Sequence, residues 1–135
     1  MLKKYYINLI VLLSLTNSSN PSRQLLREDI TNTLCNAINE KKLVKFYYDD
    51  KYSDVTGWRV VEPHLVGDLK STGNNTLVAW FIPTQQQKLN GQTERWRNYL
   101  VNRIQKLQIL DTTFQGTRPS YKPYDKRMKT IYCHL

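Results

Sequence analysis

Leu26, Ile30, Leu34, Ala37 and Ile38 recur at intervals of four, four, three and one, the spacing that lines side chains along one face of an α-helix. Glu28 and Asp29 sit near the start of that pattern, where carboxylates complement the helix dipole. One amphipathic helix is therefore predicted over residues 25–41. The period then changes. Val44, Phe46 and Tyr48 alternate with Lys45, Tyr47 and Asp49, the period of two expected of a half-buried strand. A turn-rich stretch follows over residues 49–57. Residues 58–63 read as a second strand, which Pro63 limits to an edge or a bend because proline brings no amide proton to the ladder. Ser71 to Asn75 form a turn, residues 76–82 a third strand, 95–101 a fourth and 106–110 a fifth, with Pro83 and the polar residues 84–91 as a loop between the third and fourth. From Thr112 onward the pattern is irregular, and Phe114, Tyr121, Tyr124 and Tyr132 are available to pin that tail to the surface. The predicted fold class is mostly β with one N-terminal helix. Five short strands bury their edges most economically by curling into a small barrel with the helix alongside; an open α+β sheet is the alternative.

Length adds one constraint. With 135 residues, dividing the chain into two domains would leave each with a marginal core, so a single domain over residues 25–111 is expected, with a basic, tyrosine-containing tail over 112–135. Aromatic content of 11% excludes a disordered chain. Residues 1–24 stand apart: Lys3 and Lys4 precede the largely apolar run 7–15 and a polar stretch follows, the outline of a secretory signal. That run is too short to span a membrane, and the region around Thr16, Asn17 and Ser18 is a poor cleavage site. A cytoplasmic protein is expected, with export as the alternative if the segment is a true signal.

Charge is distributed unevenly. The net charge of +9 is concentrated in residues 95–135, where nine basic residues face only Asp111 and Asp125. This asymmetry points towards an anionic partner or towards a merely solubilising surface. The two cysteines, Cys35 and Cys133, have no neighbours at metal-ligand spacing. Cys35 falls on the apolar face of the helix as a small buried hydrophobe, and a disulfide between them is neither required nor excluded.

A set of segments in a fixed order carries a family resemblance: Ala37-Ile38, then Val44-Lys45-Phe46-Tyr47-Tyr48, then Arg59-Val60-Val61-Glu62-Pro63-His64, then Leu77-Val78-Ala79-Trp80, then residues 97–104 and Leu107 to Leu110. Together, over about residues 28–111, they resemble the WYL domain. The tail, with Thr113-Phe114, Arg118-Pro119, Tyr121 and Asp125-Lys126, is similar to that of small, stand-alone WYL-like proteins. The resemblance implies an Sm/SH3-like barrel acting as a regulatory sensor of nucleic acid or nucleotide-like ligands. Two departures stand out. Asn75 and Thr76 occupy the positions of the signature Trp and Tyr, and residues 1–42 offer one amphipathic helix where a helix-turn-helix needs at least two.

No nucleophile with a base, P-loop or dinucleotide fingerprint is visible, so no catalysis, cofactor or metal is expected. Asp49, Asp50 and Asp54 lack the spacing of a calcium loop. Arg59, Arg97 and Arg103 match arginines of the family pattern, and guanidinium holds phosphate through a planar pair of hydrogen bonds. Arg97 and Arg103, six residues apart, share a face if the strand runs straight; Arg103 could instead be an ion-pair residue at a strand end. Tyr48 could stack a base or belong to the core, and His64 could line a pocket or be a plain loop residue. In the tail, Lys122, Lys126, Arg127 and Lys129 interleave with tyrosines, the composition of a second patch for nucleic-acid backbone. The expected function is a non-enzymatic sensor of single-stranded nucleic acid or a nucleotide; the alternative is a homo-oligomeric assembly module that pairs barrel edges.

Overall fold

The computed structural model describes residues 19–50 and 57–135, with side chains from Leu26 onward. The predicted features of residues 1–18 lie outside the described residues. Helix α1 spans Ser19–Glu40, six residues longer at its start than its apolar spacing suggests. Pro21 lies in the first turn, where the missing amide hydrogen has no helical partner to lose. Leu34, Ala37 and Ile38 are fully buried, whereas Leu26 is exposed, so the packed stripe is narrower than predicted. Lys41 ends the helix in the left-handed region, at φ 53°.

Six strands follow: β1 (Lys42–Tyr48), β2 (Gly57–Leu69), β3 (Asn75–Ile82), β4 (Arg95–Leu100), β5 (Ile104–Thr113) and β6 (Met128–His134). All pairings are antiparallel, in the order β4-β3-β2-β1-β5, and β6 pairs with the second half of β2. The predicted closure into a five-stranded barrel is not what the pairings show. β4 and β5 stand at opposite ends of the path and the sheet is open.

Two further differences have local causes. Pro63 does not end β2, because it sits where the β2–β3 register shifts between Pro63 and Leu65, a bulge that accommodates a residue with no amide hydrogen. The tail is not irregular throughout, since residues 128–134 form β6. The polar loop between β3 and β4 contains a short helix α2, Gln85–Leu89, closed by a capping box on Thr84 and Gln87.

The alternation of side chains gives the sheet two faces. On one, Val44, Phe46, Val61, Leu77, Phe81 and Tyr99 pack against α1 as the main core. On the other, Leu65, Val78 and Met128 pack with Trp96 and Tyr121 beneath the tail. The order of layers is thus helix, sheet, tail. Cys35 of α1 and Cys133 of β6 form a disulfide between elements 98 residues apart, so Cys35 is not the free buried thiol that its helical position suggests.

Candidate functional site

Arg59 faces the core side of the sheet because it pairs across the strands with Phe46, and it is only 2% exposed. Its Nη1 donates to the Trp58 carbonyl at 3.1 Å. Burial, reinforced by nearby Arg97, lowers its pKa, with Tyr99 and Asp50 opposing. A guanidinium taken out of water in this way requires hydrogen-bonding and counter-charged neighbours.

Those neighbours come from three elements. β4 contributes Arg97 and Tyr99, which alternate onto one face, with the Arg97 guanidinium 5.8 Å from the Tyr99 ring centre. The end of β1 contributes Tyr48, whose hydroxyl accepts from the Leu100 amide at 3.0 Å, and Asp50 follows it, 3.8 Å from Arg97. Burial raises the pKa of Tyr48, and Asp50 adds to the rise while Arg103 and Arg97 oppose it. Three guanidiniums therefore act on one region against the carboxylate of Asp50. β4 ends at Leu100 and a 3-10 turn, Val101–Arg103, intervenes before β5, so Arg103 reaches the region from a turn and not along a straight strand.

Tyr99 is the most informative member. It is fully buried, its hydroxyl has no hydrogen-bond partner among the described residues, and burial pushes its pKa up to about 12. At neutral pH it is a protonated donor beside cationic side chains. Together these groups offer what an anion requires, charge from the arginines and a directional O–H from Tyr99. Sequence reasoning singled out Arg59, Arg97, Arg103 and Tyr48. It missed Tyr99, whose place on the same face as Arg97 was implicit in the alternation of β4, and Asp50, which read as part of a solvated turn.

A family model for the WYL domain matches residues 29–109, the span that contains every member of this cluster. The chain belongs to the WYL domain family. No curated protein and no solved structure matches it. At the two positions of the WYL signature that this chain lacks, Thr76 is buried with its hydroxyl bonded to the Asn74 carbonyl at 3.0 Å. Asn75 donates through Nδ2 to Thr31 of α1 at 2.9 Å. In this WYL domain the start of β3 is thus tied to the helix by polar contacts where aromatic rings would stand, and Leu77, the retained leucine, is in the core.

His64 does not join the arginine cluster. It is fully buried under the tail, stacked on Phe114 and in edge contact with Trp96 and Tyr121. Its Nδ1 lies 2.9 Å from the Glu62 carbonyl and its Nε2 accepts from the Arg118 amide at 3.3 Å. A carbonyl can only accept and an amide only donate, so the ring is the neutral Nδ1–H tautomer. Burial lowers its pKa. The Arg118 side chain meets Glu62 through two bonds of 2.7 Å, and Tyr121 donates to the His64 carbonyl at 3.0 Å. These contacts fasten the tail, which lies beyond the matched WYL span, onto the sheet.

The predicted basic tail patch divides. Arg127 is occupied by Asp125, at 2.7 to 3.2 Å, and exposed Lys129 lies on β6. Lys122 and Lys126 line a groove against β4 that the paired Asp125 and Arg127 also border. Among the described residues no group of His, Cys, Asp and Glu side chains could hold a metal ion, and no helix is long and apolar enough to cross a membrane.

Proposed function

We propose that this WYL domain is a non-enzymatic sensor that binds an anionic ligand, single-stranded nucleic acid or a nucleotide-like molecule, at the Arg59, Arg97 and Arg103 cluster. The general role follows from the family: WYL domains are regulatory ligand-binding modules. The observation that carries the specific reading is the Tyr99 hydroxyl, buried without a hydrogen-bond partner among the described residues and close to guanidiniums. A buried donor left unsatisfied is costly, and an anionic oxygen satisfies it together with the surrounding charge.

Fluorescence anisotropy of a short single-stranded oligonucleotide, titrated with the full chain at low and physiological salt, tests the reading. Affinity should fall with salt, and Arg103→Ala should weaken binding and reduce the log–log salt slope by about 0.7 for each lost phosphate contact. Binding unchanged in Arg103→Ala would refute the site. If no binding occurs but mass grows with protein concentration, the unpaired edges of β4 and β5 act in assembly instead.

A second reading concerns compartment. Disulfides persist in oxidising surroundings, so the Cys35–Cys133 bond favours the exported alternative over the cytoplasmic one. Intact mass of the protein from its host, alkylated without reduction, decides it. Export requires a shortened N-terminus and unmodified cysteines.

A further inference from the structure

A groove of about 960 Å³ runs between β4 and the tail, on the face of the sheet opposite α1. Its floor is apolar and aromatic. Val78 is buried there, and Trp96 and Tyr121 stack with ring centres 5.8 Å apart and planes at 23°. The Trp96 indole N–H is committed to the Pro119 carbonyl at 2.9 Å, which fixes the pair in place. Tyr124 also lines the groove and is 79% exposed, so its ring is open to a stacking partner.

The rim is cationic. Lys122 and Lys126 line it, and both are exposed. Asp125 and Arg127 also line it but are paired with each other at 2.7 Å, and among the described residues no carboxylate lies within ion-pair distance of either lysine. Arg97 of β4 borders the groove, but its guanidinium is turned to the opposite face, beside Tyr99 and Asp50. The groove contains neither Arg59 nor Arg103 and is built largely from residues beyond the matched WYL span.

An apolar occupant would leave the lysine charge unused, and a simple anion would leave the aromatic surface wet. A planar aromatic ring carrying phosphate uses both, since bases stack on aromatic side chains while ammonium groups hold phosphate. The volume suits one such unit, because small-molecule sites run from about 300 to 1,000 Å³. We propose that the groove is a second binding site, for a nucleotide, with the base on Tyr124 and the Trp96–Tyr121 platform and the phosphate on Lys122 and Lys126.

The test uses the full chain and calorimetric titration with AMP, ribose 5-phosphate and inorganic phosphate. AMP should bind tightest. Tyr124→Ala should weaken AMP about fivefold or more, the usual effect of losing one stacking surface, and leave ribose 5-phosphate unchanged. The Lys122→Ala, Lys126→Ala variant should weaken AMP about tenfold or more, as expected from two lost charge-assisted bonds. These side chains are exposed, and unchanged circular dichroism will confirm that the variants fold. Arg103→Ala should leave AMP binding at the groove intact, which separates this site from the arginine cluster. Equal affinity for AMP and inorganic phosphate overturns the proposal, as does wild-type AMP affinity in the double lysine variant or equal competition by polyglutamate.

Discussion

At the scale of the residue, His64 couples the tail to the sheet. Both ring nitrogens are used, one to the Glu62 carbonyl and one from the Arg118 amide, and protonating Nε2 would set a positive ring against that amide. Burial holds the folded-state pKa below the ordinary value of 6.5. Between those two values the unfolded chain binds a proton that the native state does not. His64 therefore leaves stability untouched well above pH 6.5 and diminishes it as the pH falls through 6.5 towards the folded pKa. Up to about 1.4 kcal/mol should be lost per pH unit in that window. Thermal unfolding of the wild type at pH 7.5 and 5.5, set against His64→Asn, measures it: the variant should lose less of its midpoint on acidification. An equal drop in both would show that the histidine titrates alike folded and unfolded. By contrast, the Tyr99 hydroxyl stays protonated across this range, so the anion site keeps its donor while the tail fastening weakens.

At the scale of the element, β6 depends on a close approach. Gly67 of β2 pairs with Ile131 of β6, and a Cβ on Gly67 would run into the Thr130 carbonyl oxygen. That oxygen belongs to the backbone, so β6 must move to admit a methyl group. Gly67→Ala should cost about 1 to 3 kcal/mol by overpacking and should raise amide exchange along β6 while leaving β1 and β5 protected. Uniform exchange, or none, would argue that β6 is not docked through this contact. The same strand marks the limit of what periodicity makes legible. α1 and β1 announce themselves by spacings of 3.6 and 2 because each buries one face. In β6, Ile131 and Cys133 do alternate with Tyr132 and His134, but only Met128 of this strand is buried, and flanking lysines and tyrosines drown the pattern. β2 reads short because Pro63 looks like a terminator, and only the cross-strand register shows the bulge that absorbs it. For the site, the arginines were legible as residue types. Their convergence with Tyr99 and Asp50 was not, since it depends on a 3-10 turn that brings Arg103 round from outside β4.

At the scale of the whole molecule, the sheet is held from both sides by one covalent bond. α1 covers the face that carries Arg59 and Tyr99, the tail covers the face that carries His64 and Trp96, and Cys35–Cys133 joins the last turns of the helix to the last strand of the tail. The cysteines lie 98 residues apart, and closing a loop of about 100 residues removes on the order of 4.7 kcal/mol of unfolded-state entropy in the chain model, with measured values more often about 2 to 4. Reduction, or Cys35→Ser with Cys133→Ser, should therefore cost stability of that order while preserving the sheet, because the two cysteines sit partly buried at the margin of the main core and not among its fully buried residues. The loss should fall unevenly. Among the described residues β6 pairs with β2 and no other strand, so reduction should speed exchange in residues 128–134 before it affects Phe46 or Val61. If reduced and oxidised protein unfold at the same midpoint, the bond adds no constraint beyond the packing, and the β2–β6 pairing with the Glu62–Arg118, His64–Tyr121 and Trp96–Pro119 contacts suffices to hold the tail against the sheet.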